Sequence, residues 1–137
     1  MPRKATASSK SSPRGARIRT HVRVMLDEEI AMGPGKADLL EAIRDTGSIS
    51  AAGKQLGMSY RRAWLLVDTM NRCFKTPLVE TSAGGVAGGG ARISVAGEDM
   101  LRRYRALETA IAKITEKGFG DIKPMLRRSP QLPTSRE

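Results

Sequence analysis

The sequence predicts a mainly α fold with a small β component, for three reasons. Apolar residues recur at helical spacing in consecutive stretches between residues 36 and 74. A glycine-rich stretch, 84–90, then separates two short segments of strand character. A last helical stretch, reaching about Lys117, carries Met100, Tyr104, Leu107, Ile111 and Ile114 at intervals of 4, 3, 4 and 3. With 137 residues, 39% of them hydrophobic, the chain suits one domain with a modest core.

The elements follow in order. Residues 1–17 lack hydrophobic periodicity, carry Arg3, Lys4, Lys10, Arg14 and Arg17 without an acid, and read as a disordered basic arm. From Ile18 to Leu26 apolar and polar residues alternate, which predicts a half-buried strand. "DEEIAMGPG" breaks that pattern. Residues 36–46 predict a helix with Leu39, Leu40 and Ile43 on its apolar face, closed by Gly47. Ser48 is placed to cap a short helix, "ISAAGKQL", with Ala51, Ala52 and Leu56 inward and Gly57 at its end. Ser59 caps a third helix, "YRRAWLLVDTMNRCF", whose Ala63, Val67, Met70 and Phe74 share one face. "TPLVET" and "ARISV" are the strands on either side of the glycines, and Ser94 caps the last helix. From Gly118 the composition predicts a loose tail, so the domain proper is expected over 18–117 and the tail over 118–137.

Composition narrows the function. The net charge is +10 and the pI about 10.5, which points to a polyanionic partner. No apolar run approaches the roughly 20 residues of a membrane span, and no membrane partner is expected. The N-terminus lacks the apolar core of a secretory signal, which predicts a cytoplasmic chain. One cysteine, Cys73, and one histidine, His21, leave no material for a disulfide framework, a cysteine-rich zinc site or a histidine-based triad. Asp27, Glu28 and Glu29 are adjacent acids in a polar segment and suit solvation better than catalysis. No catalytic residue, metal ligand or cofactor site is assigned, and an enzyme is not expected.

The glycine-rich stretch could cradle a phosphate or form the tip of a hairpin. A phosphate-binding loop needs a helix directly after it, and a P-loop needs Lys-Ser/Thr after its second glycine. Gly84 and Gly89 have the P-loop interval, but Gly90 and Ala91 follow, and then a strand. A hairpin tip fits. Its exposed backbone N–H groups, at Gly88 and Gly89, and the nearby Arg92 could donate to phosphate oxygens.

Three helices and such a hairpin make a winged helix-turn-helix with a long C-terminal dimerisation helix. The tight crossing needs small residues, and Ala51, Ala52 and Gly53 supply them, while Gly57 allows the turn. The second helix then offers Ser59, Tyr60, Arg61 and Arg62 to the major groove of double-stranded DNA. Arginine there suits guanine or phosphate, although both arginines also fit a solvated surface. Tyr60 suits packing beside the turn as well as a DNA contact. Trp64, beside Ala63 and Val67, is assigned to the core rather than to a base. Cys73 is expected to be half-buried and His21 exposed.

Residues from about Lys36 to Glu108 resemble the N-terminal DNA-binding domain of the ModE family of molybdate-responsive transcriptional regulators. The matching segments are "TGSISAAGKQLGMSYRRAWLLVDTMN", "PLVET" and "GGVAGGGARISVAGEDMLRRYRALE". The spacing of the paired alanines and Leu56 is also similar to LysR-type regulators. The resemblance implies a homodimeric winged helix on palindromic operator DNA, read by the helix that begins at Ser59 and flanked by the wing. The heptad seam of Met100, Tyr104, Leu107, Ile111 and Ile114 is the expected dimer contact. The family's molybdate-sensing members carry C-terminal oxyanion-binding domains, and this chain ends soon after its last predicted helix. The resemblance therefore extends to DNA and not to molybdate, and no small-molecule effector is expected. The competing expectation is a non-specific nucleic-acid binder acting through its basic arms.

Overall fold

The computed structural model describes residues 14–82 and 90–134. Residues Thr20–Ile111 group as one unit, and Met1–Arg19 with Ala112–Glu137 as a second.

The first unit opens with a hairpin, β1 (Val24–Leu26) and β2 (Glu29–Met32), paired antiparallel with Met25 opposite Ile30 and Leu26 opposite Glu29. This corrects the long strand expected over 18–26. The acids taken as a break are the turn itself: Asp27 sits at φ 52°, a left-handed conformation that aspartate tolerates. Its short polar side chain lets the chain reverse within two residues. α1 (Pro34–Thr46) begins two residues earlier than expected. Pro34 has no N–H to leave unsatisfied at the first helical position, so "GPG" starts the helix instead of ending a loop. Leu39, Leu40 and Ile43 are fully buried, and Gly47 closes the helix at φ 75°.

α2 (Ile49–Gln55) and α3 (Tyr60–Cys73) follow, and then the wing, β3 (Val79–Ser82) and β4 (Gly90–Ile93). The wing strands are antiparallel, from Val79 opposite Ile93 to Ser82 opposite Gly90. Asn71, in the last turn of α3, fixes where β3 starts. Its Oδ1 accepts from the amides of Leu78 and Val79 at 2.9 and 3.1 Å, and its Nδ2 donates to the Val79 carbonyl at 3.0 Å. The Ala91 amide donates to the Gly47 carbonyl at 2.9 Å and ties β4 to the end of α1.

α4 (Val95–Ile122) starts under the expected cap, with the Gly97 amide donating to Ser94 Oγ at 3.0 Å. Leu101 and Tyr104 bury into the core with Met32, Leu39, Ile43 and Met70. The Tyr104 hydroxyl donates to the Val22 carbonyl at 2.7 Å, fastening the segment ahead of β1. Arg105 lies among Asp38, Glu41 and Glu108 at 2.8, 2.9 and 2.8 Å and so joins α4 to α1. Three helices, a wing and a following long helix constitute a winged helix-turn-helix.

In the second unit α4 continues past the expected stop at Lys117 to Ile122, and a single 3-10 turn, Lys123–Met125, ends it. Gly118 and Gly120 are therefore helical. Phe119, between them, is buried. Among the described residues no helix is long and apolar enough to cross a membrane, and no cluster of three or more metal-ligating side chains occurs.

Candidate nucleic-acid interface

The interface is built on the turn between α2 and α3. Ser48 Oγ accepts from the Ala51 amide at 3.0 Å and starts α2 in the right place. The crossing is tight: a Cβ on Gly53 would stand 2.9 Å from the Ala63 Cβ, so only glycine lets the two helices approach this closely. Gly57 turns the chain at φ 73°. Ile49, Ala52 and Gly53 are the buried residues of α2. Ala51 and Leu56, expected inside, face solvent: Ala51 stands about 100° round the helix from the buried Ala52, and Leu56 caps the helix beyond its last turn.

Ser59 Oγ accepts from the Arg62 amide at 3.0 Å and caps α3. Its acceptor is thus engaged, while its hydroxyl proton remains available to a phosphate or base. Tyr60, Arg61 and Arg62 are exposed on the first turn. No carboxylate pairs with either arginine among the described residues. The amide ends of α3 add positive potential at the same place. Lys36 stands nearby and is 8% exposed. Burial lowers its pKa, partly opposed by Cys73, and Arg62, Glu29 and Arg23 also act on it. The first turn of α3 is therefore bordered by a further, largely covered cation.

Tyr60 reaches outward, 61% exposed, and meets Trp64 edge-on with ring centroids 6.1 Å apart. Trp64 is itself 39% exposed, which corrects its assignment to the core. The signal lay in the helical phase. Ala63, Val67 and Met70 define the buried face, and Trp64 stands about 100° round from Ala63. Leu65 is exposed as well. Sequence reasoning missed both as surface residues.

The wing lies beside α3, and Ser48, Ile49, Tyr60, Trp64, Ser82 and Ala91 are among the residues of an open cleft of about 260 Å³ between them. Arg92 projects from β4 and pairs with Glu80 at 3.0 Å. Both ends of that pair are well exposed, so it contributes little and exchanges readily for another anion. Gly88 and Gly89, the expected wing-tip donors, lie outside the described residues. Of the expected dimer seam, Tyr104 is buried in the chain's own core and Met100 packs against that core. Leu107 and Ile114 are exposed, and Ile111 is half-buried. Cys73 is half-buried and His21 exposed, as expected.

This arrangement offers guanidinium groups without a carboxylate partner among the described residues, a hydroxyl and aromatic edges along the exposed start of α3. Such a set suits phosphate oxygens and the edges of bases.

No family model matches the chain. The molybdenum-pterin-binding protein MopB of Rhodobacter capsulatus is 46% identical over 83 residues, 61% of this chain and 31% of its own. The molybdenum transport protein ModE of Azotobacter vinelandii is 39% identical over 115 residues, 77% of this chain and 43% of its own. The DNA-binding transcriptional dual regulator ModE of Escherichia coli K12 is 35% identical over 94 residues, 69% of this chain and 34% of its own. The chain thus spans less than half the length of these relatives. Among solved structures, the crystal structure of the CbnR_DBD-DNA complex superposes with a TM-score of 0.51 at 17% identity, covering 64% of this chain and 95% of that one. That likeness is one of fold.

Proposed function

We propose that this chain, a homologue of the ModE regulators over its matched residues, is a sequence-specific DNA-binding transcriptional regulator that acts as a dimer on palindromic operators. The observation that carries this reading is the first turn of α3. Arg61 and Arg62 stand exposed and unmatched at the start of the second helix of a helix-turn-helix, where a major groove would receive them. The reading assigns Ser59, Tyr60, Arg61 and Arg62 to the groove and Arg92 to the flanking backbone. It makes the chain a binder rather than an enzyme, acting in the cytoplasm.

Dimerisation is assigned to α4. With Tyr104 spent inside, the part of the seam left to a partner is the exposed Leu107 and Ile114 with the half-buried Ile111 between them. Replacing Leu107 and Ile111 with glutamate is expected to give monomers in sedimentation. A variant that stays dimeric places the interface elsewhere.

Selection from a random pool of duplex DNA tests the main reading. The expected result is an enriched palindrome. Binding without enrichment would favour a non-specific, architectural role for the basic segments.

A further inference from the structure

Tyr60, Trp64 and Leu65 present three large apolar side chains to solvent on a helix whose opposite face is already buried. With Arg61 and Asp68 they line an open depression of about 520 Å³. Apolar surface grouped in this way marks a contact surface. Its position identifies the occupant, because the patch is continuous with Arg61 and begins on the first turn of α3. A partner that engages that turn must also cover Trp64, one turn further on. The major groove presents one apolar group among its hydrogen-bonding edges, the C5-methyl of thymine.

We propose that the Tyr60–Trp64 pair reads thymine C5-methyl groups, and so sets part of the operator sequence that the arginines do not. The proposal rests on the DNA-binding reading above and deepens it. The edge-on geometry supports it. Tyr60 braces the indole, and a braced ring loses little rotamer freedom when a methyl group docks against it. Tyr60 also keeps a hydroxyl at its tip, able to reach a phosphate while its ring packs on the methyl. Asp68 bounds the far side of the depression. It is paired with Arg72 at 2.9 Å, so that pair is already matched within the chain. The unmatched part of the depression therefore runs from Tyr60 to Leu65. Arg61 supplies polar discrimination on the same stretch, so the helix carries both kinds of contact.

Uracil tests this, because it lacks only the methyl. The probe is the duplex enriched from the random pool, with each thymine replaced in turn by deoxyuridine. The full chain is expected to lose about three- to five-fold in affinity at one or two thymines per half-site, the contribution of one buried methyl. Trp64→Ala is expected to bind the parent duplex more weakly and to show no difference between thymine and uracil at those positions. Arg61→Ala is expected to keep that difference while losing affinity. Trp64→Gln, of similar reach and polar, serves as a second variant, and circular dichroism melting checks that both variants fold. Equal affinity of the full chain for every uracil duplex overturns the proposal. So does a Trp64→Ala protein that discriminates as well as the parent, or an enriched sequence without thymine. Failure to enrich any sequence is a different outcome, and it overturns the sequence-specific reading on which the proposal stands.

Discussion

Arginine serves opposite purposes on α4 and on the first turn of α3. On α4, Arg102 and Arg103 both pair with Asp99, and Arg105 is held by three carboxylates from two helices. Burial works against the charge of Arg105, yet its hydrogen bonds to Glu41, Asp38 and Glu108 raise its pKa above the ordinary value. On the first turn of α3, Arg61 and Arg62 have no such partners among the described residues. A matched guanidinium has spent its donors on the fold, whereas an unmatched one offers five N–H groups to whatever arrives. The net charge of +10 is therefore a poor guide by itself. What singles out the first turn of α3 is that its positive charges have no carboxylate partner among the described residues.

The contrast breaks first at α3. Arg61→Ala with Arg62→Ala is expected to remove about 2–4 kcal/mol of binding to the enriched duplex, on the scale of one or two lost bidentate contacts. Melting should move little, by the roughly 0.5 kcal/mol usual for surface changes. Fluorescence anisotropy and thermal melts, run together, separate the two effects. If the loss is the same on random DNA, the arginines hold phosphate and not bases.

A saturated polar group should behave in the reverse way. Asn71→Asp keeps the acceptor for Leu78 and Val79 but sets an oxygen against the Val79 carbonyl. The expected cost is about 2 kcal/mol of stability, read by urea unfolding. Arg105→Met is expected to cost less, about 1–2 kcal/mol, because the site is partly solvated, and to leave DNA affinity unchanged. A loss of affinity comparable to that of the α3 variants would erase the division between the two helices.

Lys36 sharpens the comparison, being both largely buried and unmatched. Its pKa is lowered from 10.5, chiefly by burial, so the unfolded chain binds more protons between the lowered value and 10.5. Carrying its charge in the fold costs stability at neutral pH, and that cost fades as pH rises through this window. Lys36→Met should therefore stabilise the chain at pH 7, by an amount that shrinks as pH rises and vanishes above pH 10.5. Melts across that range check the sign, and a constant gain at all pH values would assign the effect to packing instead.

What could be read from the sequence was mostly local chemistry. The caps at Ser48, Ser59 and Ser94 and the closing Gly47 were legible because a cap involves residues within three or four positions of one another. The first turn of α3 was legible for the same reason, and so were the wing strands. The misses were decided at longer range or by a less common conformation. The β1–β2 hairpin depends on an aspartate in a left-handed turn that a run of acids conceals. α4 runs on through Gly118 and Gly120 to Ile122, past glycines that helix propensity reads as a stop. Part of the apparent dimer seam was consumed when Tyr104 turned inward to bond Val22, 82 positions away. Trp64 was misassigned for a different reason. It was grouped with its sequence neighbours Ala63 and Val67, although its helical phase already pointed outward.

Asn71 has a mechanical consequence. Its side-chain amide acts as a one-residue imitation of a strand edge, mounted on the last turn of α3. Twisting α3 about its axis would wrench the first peptide of the wing with it, and lifting the wing would pull on the helix. The two parts are keyed together like a cog on a splined shaft. The stride between the helix and its flanking strand is then cut once, at folding, and three hydrogen bonds keep it from slipping.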